Sequence, residues 1–527
     1  MKKVFSVIIL LSLFASGISQ PLLIEWQNCF GGTLDDHGYD LVYTGDGYLM
    51  ACDWGFKDVW IIKTDLTGNM LWEKKIGGSD YEIPHRILPS DDGNYIILCG
   101  SNSSDGDIGD DPYPGSNDYW VVKINGSGDI LWERIYGGNC IEQMWDGVKT
   151  TDGGIVALGH TCSEDGDISN YFCTWDTWMI KLDNDGNIIW DFTMGTEDFD
   201  FASAIIETSD RGFLVSCSST PTSGGNIDCL PFNEFAEIVL FKLDSVANIE
   251  WQQCYGGSDS ESVLDIVETT DGYLLACSAY SNDGDITGAG YHLGYENSGS
   301  QTRDIWLVKI DLTGNIIWSK CYGGTKNETP HRIFQTEDGG FIVFGEAESF
   351  DGDVTGNHSA GPGISDIWVF KIDSVGQLIW QQCIGGNGYE RIESGVVDNG
   401  DGSYVIASTI YDFNSGQVEC PTTNGSYQVW LIKVRDTTVV SVHEKPLAEN
   451  TVKVYPNPAT EYVLFELQKP IHTGSITIAD IYGRDVAQIP VIVDKTVWDT
   501  RGVVPGVYLY KGEMNKTTIS GKILIMR

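Results

Sequence analysis

The chain is short of basic residues. Against 75 Asp and Glu it has only 32 Lys and Arg in 527 residues, a net charge of −43. A surface this acidic repels nucleic-acid phosphates and anionic lipid headgroups, which sets both aside as partners. Charged residues make up only 20% of the chain, 42% is hydrophobic and 17 residues are Trp, so a disordered polymer is excluded as well. Proline is sparse, 16 residues against 62 Gly, and no helical period is sustained between the apolar segments, which argues against a helical fold. Beyond the amino-terminal leader no apolar run reaches about 18 residues, so no transmembrane segment is expected. No Cys-x-x-Cys or His-x-x-x-His spacing offers a zinc site.

What is present begins with the leader. Lys2 and Lys3 precede an apolar stretch from Val4 to Phe14 and the small residues Ala15, Ser16, Gly17 and Ser19. This three-part order is a secretory signal over residues 1–19. An internal repeat then dominates. A Trp followed some five residues later by Gly-Gly recurs at Trp26, Trp72, Trp132, Trp190, Trp251, Trp318 and Trp380. A strand-like run ending in Lys recurs at Asp58 to Lys63, Asp118 to Lys123, Asp176 to Lys181, Glu237 to Lys242, Asp304 to Lys309, Asp366 to Lys371 and Gln428 to Lys433. A turn recurs at Asp46-Gly47, Asp92-Gly93, Asp152-Gly153, Asp210-Arg211-Gly212, Asp271-Gly272, Asp338-Gly339 and Asp401-Gly402. Three anchors give the same count of seven.

Within one unit, Ile305-Trp306-Leu307-Val308 is too short for a helix and reads as a strand buried on both faces. Asp311-Leu312-Thr313-Gly314-Asn315 supplies the residues a tight hairpin needs before Ile316-Ile317-Trp318. Each unit of about 60 residues thus holds four short strands, and seven such units predict a seven-bladed all-β propeller over residues 20–436. The strand ending near Trp26 lacks a hairpin partner upstream and Gln428 to Val434 lacks one downstream; pairing of the two is expected to close the ring and protect both edges.

The Asp-x-x-Gly-x-x-x-Trp hairpin resembles the tryptophan-docking motif of quinoprotein-like propellers. That resemblance covers the hairpins alone and bears on fold rather than on redox activity. The whole unit is similar to a repeat common in secreted proteins of Bacteroidetes. Sialidase-type aspartate boxes space Asp and Gly more closely than Asp311 and Gly314, and WD and kelch patterns are absent.

Composition changes near Lys445. From there to Arg527 there are 10 basic and 8 acidic residues, net +2, which leaves residues 1–444 with 22 against 67, net −45. A linker over 437–450 and a second domain over 451–527 are expected. Alternating segments such as Thr460 to Leu467 and Val507 to Lys511, broken by Pro and Gly, describe a small Ig-like antiparallel sandwich. Tyr455-Pro456-Asn457-Pro458, then Ile481-Tyr482-Gly483-Arg484, then Pro505-Gly506-Val507-Tyr508 make this tail similar to the type A sorting domain of the type IX secretion system. The resemblance implies recognition by that secretion machinery, proteolytic removal, and surface attachment through lipopolysaccharide.

If the strand before each Asp-Gly turn is innermost, the Gly-Gly loops and the long loops share one face, where binding residues are expected. Four long loops repeat an acidic phrase: Asp105-Gly106-Asp107, Asp165-Gly166-Asp167, Asp283-Gly284-Asp285 and Asp351-Gly352-Asp353. Two carboxylates about a Gly suit one Ca²⁺, although the remaining oxygens of a calcium loop are missing; the other reading is a repeated Asx-turn. No cofactor is otherwise required. The same loops carry Tyr113, Tyr171, Trp175, Tyr291 and Tyr295, rings that can stack on sugars or anchor a protein, or simply pack the loop. Pro84-His85-Arg86 and Pro330-His331-Arg332 share a place near the start of the inner strand and could form a catalytic pair, but the other five units offer no acid, base or nucleophile in matching positions. Core or channel lining is the expected role of His85 and His331.

Thirteen cysteines in an exported chain suggest disulfides. Cys52, Cys99, Cys217 and Cys277 share one strand position and Cys29, Cys254, Cys321 and Cys383 another, the behaviour of small buried residues. Cys162 with Cys173 is the first pairing expected. The sequence points to an exported ligand-binding or adhesion module for a glycan or a surface protein. The runner-up is a polysaccharide hydrolase or lyase acting in the central channel or on the long-loop face.

Overall fold

The computed structural model describes residues 20–438 and 452–526, apart from 33, 110, 173, 221–223, 230–236, 297, 359–360, 362, 412–414, 421–425, 457–458, 468–473, 481–483, 492–494 and 515–516. The leader and most of the linker therefore lie outside the described residues. The chain divides into two compact units, Met1–Val439 and Val440–Arg527.

The first unit holds seven four-stranded antiparallel sheets. In the first sheet Gly38–Tyr43, Gly47–Trp54, Asp58–Asp65 and Met70–Ile76 follow one another in space as in sequence. The same order recurs over residues 82–136, 142–194, 200–255, 261–322 and 328–384. The seventh sheet takes Tyr389–Asp398, Ser403–Tyr411 and Gln428–Asp436, and its fourth strand is Leu22–Phe30 from the amino end, with Trp26 opposite Lys433 and Cys29 opposite Trp430. First strands of successive sheets lie side by side, and that of the seventh lies beside that of the first.

The recurring anchors meet in space. In the first six sheets the recurring Lys of the buried third strand turns to the Asp of the Asp-Gly turn, as Lys123 to Asp92 at 2.7 Å, Lys309 to Asp271 at 2.8 Å and Lys371 to Asp338 at 2.8 Å; in the seventh Lys433 pairs with Glu25 and Arg435 meets Asp401. Each Lys snorkels its ammonium out of an apolar layer to a solvated carboxylate. In the same strand Trp60, Trp120, Trp178 and Trp306 are fully buried opposite Cys52, Cys99, Gly159 and Cys277, so a large ring faces a small side chain across the ladder. Those cysteines are free and buried because of packing. Cores form between neighbouring sheets: Leu274, Ile305 and Leu307 of the fifth sheet pack on Ile333, Val343 and Trp368 of the sixth.

The cysteine expectation needs correction in two places. Cys162 is bonded to Cys140, not to Cys173, whose own position lies outside the described residues. The reason is register: Glu142 pairs with Thr161, so Cys140 and Cys162 sit just beyond the open end of one two-strand ladder. Cys29 and Cys254 are bonded to Cys420 and Cys229, whereas Cys321 and Cys383 are free and buried as expected.

The second unit has two antiparallel sheets. Val452–Tyr455, Tyr462–Leu467 and Lys495–Asp499 form one; Asp485–Val491, Gly474–Asp480, Gly506–Met514 and Thr517–Ile525 form the other. Val463, Phe465, Ile476, Ile478, Trp498 and Tyr508 share one core. Tyr455 donates its hydroxyl to Glu466 Oε2 at 2.7 Å before a cis bond to Pro456, and Tyr508, two residues into the strand that Gly506 opens, packs on Trp498 and donates to the Val504 carbonyl at 2.6 Å. Asn457, Pro458 and Gly483 lie outside the described residues.

Candidate ligand-binding site

The first strand of every sheet in the large unit breaks register once, at the same place, in the half nearer the long loops. A β-bulge leaves one residue unpaired and re-aims its side chain. In the first six sheets that residue is Tyr39, His85, Trp145, Ser203, Leu264 and His331; in the seventh the break spans Glu393, Ser394 and Gly395. The backbone device repeats while the side chain it presents changes from sheet to sheet.

On the side of the first four sheets these residues join an aromatic arc. Ring contacts run from Tyr39 to His85 at 6.2 Å, from His85 to Trp145 at 6.5 Å, and from Trp145 to His160 at 6.5 Å. His160 touches Trp175 at 5.3 Å and Phe201 at 5.1 Å, and Phe201 stacks with Phe199 at 6.1 Å and 14°. Trp145, Phe199 and Phe201 are 52%, 43% and 40% exposed, an unusual concentration of solvent-facing rings on a folded surface. Burial lowers both His85 and His160 to about 4, so these rings are neutral.

The fifth to seventh sheets carry a polar arc. Arg303 donates to Thr329 Oγ1 at 2.9 Å and to the Tyr280 hydroxyl at 2.8 Å. His331 Nδ1 lies 2.9 Å from the Glu393 carbonyl and Nε2 lies 3.0 Å from Glu346 Oε1. Glu393 in turn pairs with the half-exposed Arg391 at 2.9 Å.

One residue past five of the seven bulges lies a charged side chain, Asp40, Arg86, Asp146, Asp265 and Arg332, and together they form a floor of charge. Arg86 sits 2.9 Å from Asp146 and 3.7 Å from Asp40, and Arg332 sits 3.1 Å from Asp265. Each of these aspartates also accepts a backbone N–H from a neighbouring first strand: Asp40 from Ile87, Asp146 from Ile205, Asp265 from Ile333. Burial pushes Asp40 up to about 6 and Asp265 to about 7. Burial also works against the charge of Arg86, but Asp146, Asp40 and Asp265 together raise its pKa. Ser394 Oγ donates to the carbonyls of Tyr39 and His85, and the Ser394 carbonyl accepts from Arg332, so the centre between the first strands is filled. The expectation that the other units carry no ionisable residue here fails: Asp40, Asp146 and Asp265 occupy the position of Arg86 and Arg332, each eight residues after the second Gly of its Gly-Gly pair.

Of the loop aromatics expected to bind, Trp175 belongs to the aromatic arc. Tyr291 instead donates to the carbonyls of Thr302 and Tyr280 and packs its own loop. Tyr295 is 61% exposed. Tyr113 and Asp167 meet in a groove of about 540 Å³ with Pro112, Glu133, Arg134, Tyr136, Gly186 and Ile188. Tyr171 is half-buried. Sequence reasoning missed Trp145 and Phe201, which lie in first strands, and Phe199, which immediately precedes one, because it looked for binding rings in the long loops.

The acidic phrases bind backbone. Asp105 accepts the Ser79 N–H at 2.7 Å and Asp107 that of Gly77 at 3.2 Å. Asp165 and Asp167 do the same for Asn139 and Gly137, and Asp283 and Asp285 for Ser258 and Gly256. Asp351 accepts from Thr325, whereas Asp353 donates its own N–H to the Gly323 carbonyl. Each phrase ties a long loop to the Gly-Gly loop beside it. Among the described residues no group of three or more His, Cys, Asp or Glu side chains gathers in a way that could hold a metal ion.

Beneath the Gly-Gly loops lie pairs of buried carboxyls. A side chain on Gly137 would meet Asp118 Oδ1 at 2.1 Å and Glu142 Oε2 at 2.5 Å; on Gly323 it would meet Glu328 at 2.6 Å and Asp304 at 3.0 Å. Burial raises Glu328 to about 8, and Asp200 and Glu261 to about 7; Asp118 is also raised, by burial and then by Glu142.

Residues 453–526 match the family described as the secretion system C-terminal sorting domain. The second unit therefore carries the sorting domain that the sequence resemblance implied, which supports export by the type IX route, its machinery as a partner, and surface or extracellular placement. No curated protein matches the chain. Among solved structures the chain is similar to Drosophila Plexin A in complex with Semaphorin 1b, at 9% identity over 78% of this chain and 87% of that one, with a TM-score of 0.39. It is also similar to a Synechocystis apocarotenoid oxygenase mutant (12%, 66% and 71%, TM-score 0.37) and to BBS1N in complex with ARL6DN (7%, 80% and 98%, TM-score 0.41). Likenesses this distant carry no information about activity. Among the described residues no helix is long and apolar enough to cross a membrane.

Proposed function

We propose that the seven sheets are the blades of a closed propeller, and that this exported chain is a binding module taking its ligand at the centre of the long-loop face. In this reading residues 1–19 are a signal peptide, 20–436 the propeller, 437–450 a linker and 451–527 an Ig-like sorting domain removed during export, with lipopolysaccharide anchoring after processing. The observation that carries the reading is the bulge present in every first strand, at which only His, in the second and sixth sheets, occurs twice. Repetition keeps the scaffold, and variation at one register position builds an asymmetric surface on it.

Binding is favoured over hydrolysis or elimination because the ionisable groups at the centre are committed. The floor carboxylates hold arginines and backbone N–H groups, and both nitrogens of His331 face oxygens. The acidic phrases act as loop ties and require no calcium in this reading. A glycan or a surface protein fits the exposed rings. Screening the purified exported protein against a glycan panel, with and without calcium, tests it; binding by a Trp145→Ala, Phe201→Ala double variant equal to the parent's would reject it.

A further inference from the structure

The propeller-forming unit has only seven arginines in residues 1–444, and four of them, Arg86, Arg303, Arg332 and Arg391, are at the candidate site. In a chain of net charge −43 that is the one place where guanidinium groups gather. Three are spoken for: Arg86 and Arg332 by floor aspartates, Arg391 by Glu393. Arg303 is different. Its Nε and one Nη1 hydrogen are held by two neutral hydroxyls, and among the described residues no carboxylate oxygen lies within 4 Å of it. Glu348 feels Arg303 and Lys326 only from beyond ion-pair distance.

A guanidinium has five N–H donors. With Nε–H and one Nη1–H engaged, the remaining Nη1–H and the Nη2 hydrogens leave the end-on fork open, the geometry that matches a carboxylate through two parallel bonds. Thr329 and Tyr280 fix the plane of that fork, so little side-chain freedom is lost when an anion arrives. Thr329 stands two residues before the bulged His331 on the same strand, which sets the fork at the edge of the polar arc. Glu348, whose carboxyl feels Arg303, and Glu346, opposite Thr329 in the ladder, disfavour a doubly charged phosphate or sulfate more than a singly charged carboxylate. Across the site, Phe199 and Phe201 offer parallel rings beside Trp145, flat apolar surfaces of the kind that cover the face of a sugar.

We propose that the ligand is an acidic oligosaccharide: sugar faces lie on Trp145 and Phe201, and a uronic carboxylate is taken end-on by Arg303. This rests on the binding-module reading above and adds the ligand's chemistry to it. The remote acidic loops do not forbid it, because at physiological ionic strength fields fade over about 8 Å.

The test is calorimetry of the purified exported protein with a set of uronic-acid trisaccharides (galacturonate, mannuronate, guluronate) and their methyl esters, which keep the sugar and remove the charge. At least one acid is expected to bind about tenfold tighter than its ester. Arg303→Gln should abolish that preference by weakening the acid far more than the ester; Arg303→Lys, which keeps charge without the fork, should recover only part of it. Trp145→Ala should weaken acid and ester by the same factor. Equal binding of acid and ester, binding of neither, or a preference that survives Arg303→Gln overturns the acidic-sugar inference. Loss of preference in Arg303→Gln with no effect of Trp145→Ala on either ligand would instead overturn the placement of the site on the aromatic arc.

Discussion

The indole of Trp72, on the outer strand of the first sheet, fills the space over Gly128 in the hairpin of the second: a Cβ added to Gly128 would lie 2.7 Å from the ring. Trp26 over Gly68, Trp132 over Gly186, Trp251 over Gly314 and Trp318 over Gly376 repeat the relationship. Each outer strand is thereby docked to the next sheet by a ring that only glycine admits, at positive φ. At the end of the series Trp380 donates instead to Thr438 Oγ1 at 3.2 Å.

The fourth sheet breaks the pattern, with Ala247 at φ 64° where its counterparts have Gly. An L-residue there costs about 1–2 kcal/mol, offset in part by the greater chain entropy of Gly. Ala247→Gly should therefore stabilise by up to about 1 kcal/mol in urea denaturation, while Gly128→Ala should destabilise by about 1–3 kcal/mol from strain and the clash with Trp72. Destabilisation by Ala247→Gly would contradict the docking account.

Cys29 and Cys420 tie the amino-terminal strand to the loop before the last strand of the same sheet. Cys29→Ser with Cys420→Ser should cost about 2–4 kcal/mol. Non-reducing peptide mapping should return Cys29–Cys420, Cys140–Cys162 and Cys229–Cys254; a Cys162–Cys173 peptide would contradict the fold.

Stability should rise as pH falls from 8 toward 5. Burial raises Glu328 to about 8 and Asp200 and Glu261 to about 7 in the folded chain, above ordinary carboxyl values, so the folded state holds protons that the unfolded state releases in this window. Below about pH 4 the trend reverses, because Asp92 and Asp338, held low by Lys123 and, against burial, by Lys371, lose their pairs. Thermal melts at constant ionic strength should show a maximum between these limits. A Tm that climbs steadily from pH 5 to 8 would contradict the buried carboxyl pairs.

Chelation should leave the melting temperature unchanged, since Asp105 and Asp107 are already satisfied by Ser79 and Gly77 N–H groups. Asp105→Ala, which leaves the Ser79 N–H without its acceptor, should cost about 1 kcal/mol with or without calcium.

Much of this architecture was legible from spacing. Lys123 and Asp92 were read as separate anchors of a repeat, and both recur because they touch. Trp72 and the hairpin Gly of the next unit recur for the same reason. The site was less legible. His85 and His331 stand out by identity, whereas Asp40, Asp146 and Asp265 share the arginines' spacing of eight residues from the Gly-Gly pair but differ from them in charge, so a search for a repeated residue type passes over them. Loop position made Tyr291 look like a binding residue, whereas carbonyls of its own loop region satisfy its hydroxyl. Trp145 lies at a first-strand bulge, outside the loops in which binding rings were sought.

The most direct test of the central account is a comparison of two aromatic variants in one binding assay. Trp145→Ala, at the centre of the long-loop face, should reduce affinity for whatever ligand the glycan panel returns by about tenfold or more, and Tyr295→Ala, on an exposed loop, should leave it within about twofold. The reverse order, with Tyr295 essential and Trp145 indifferent, would contradict it.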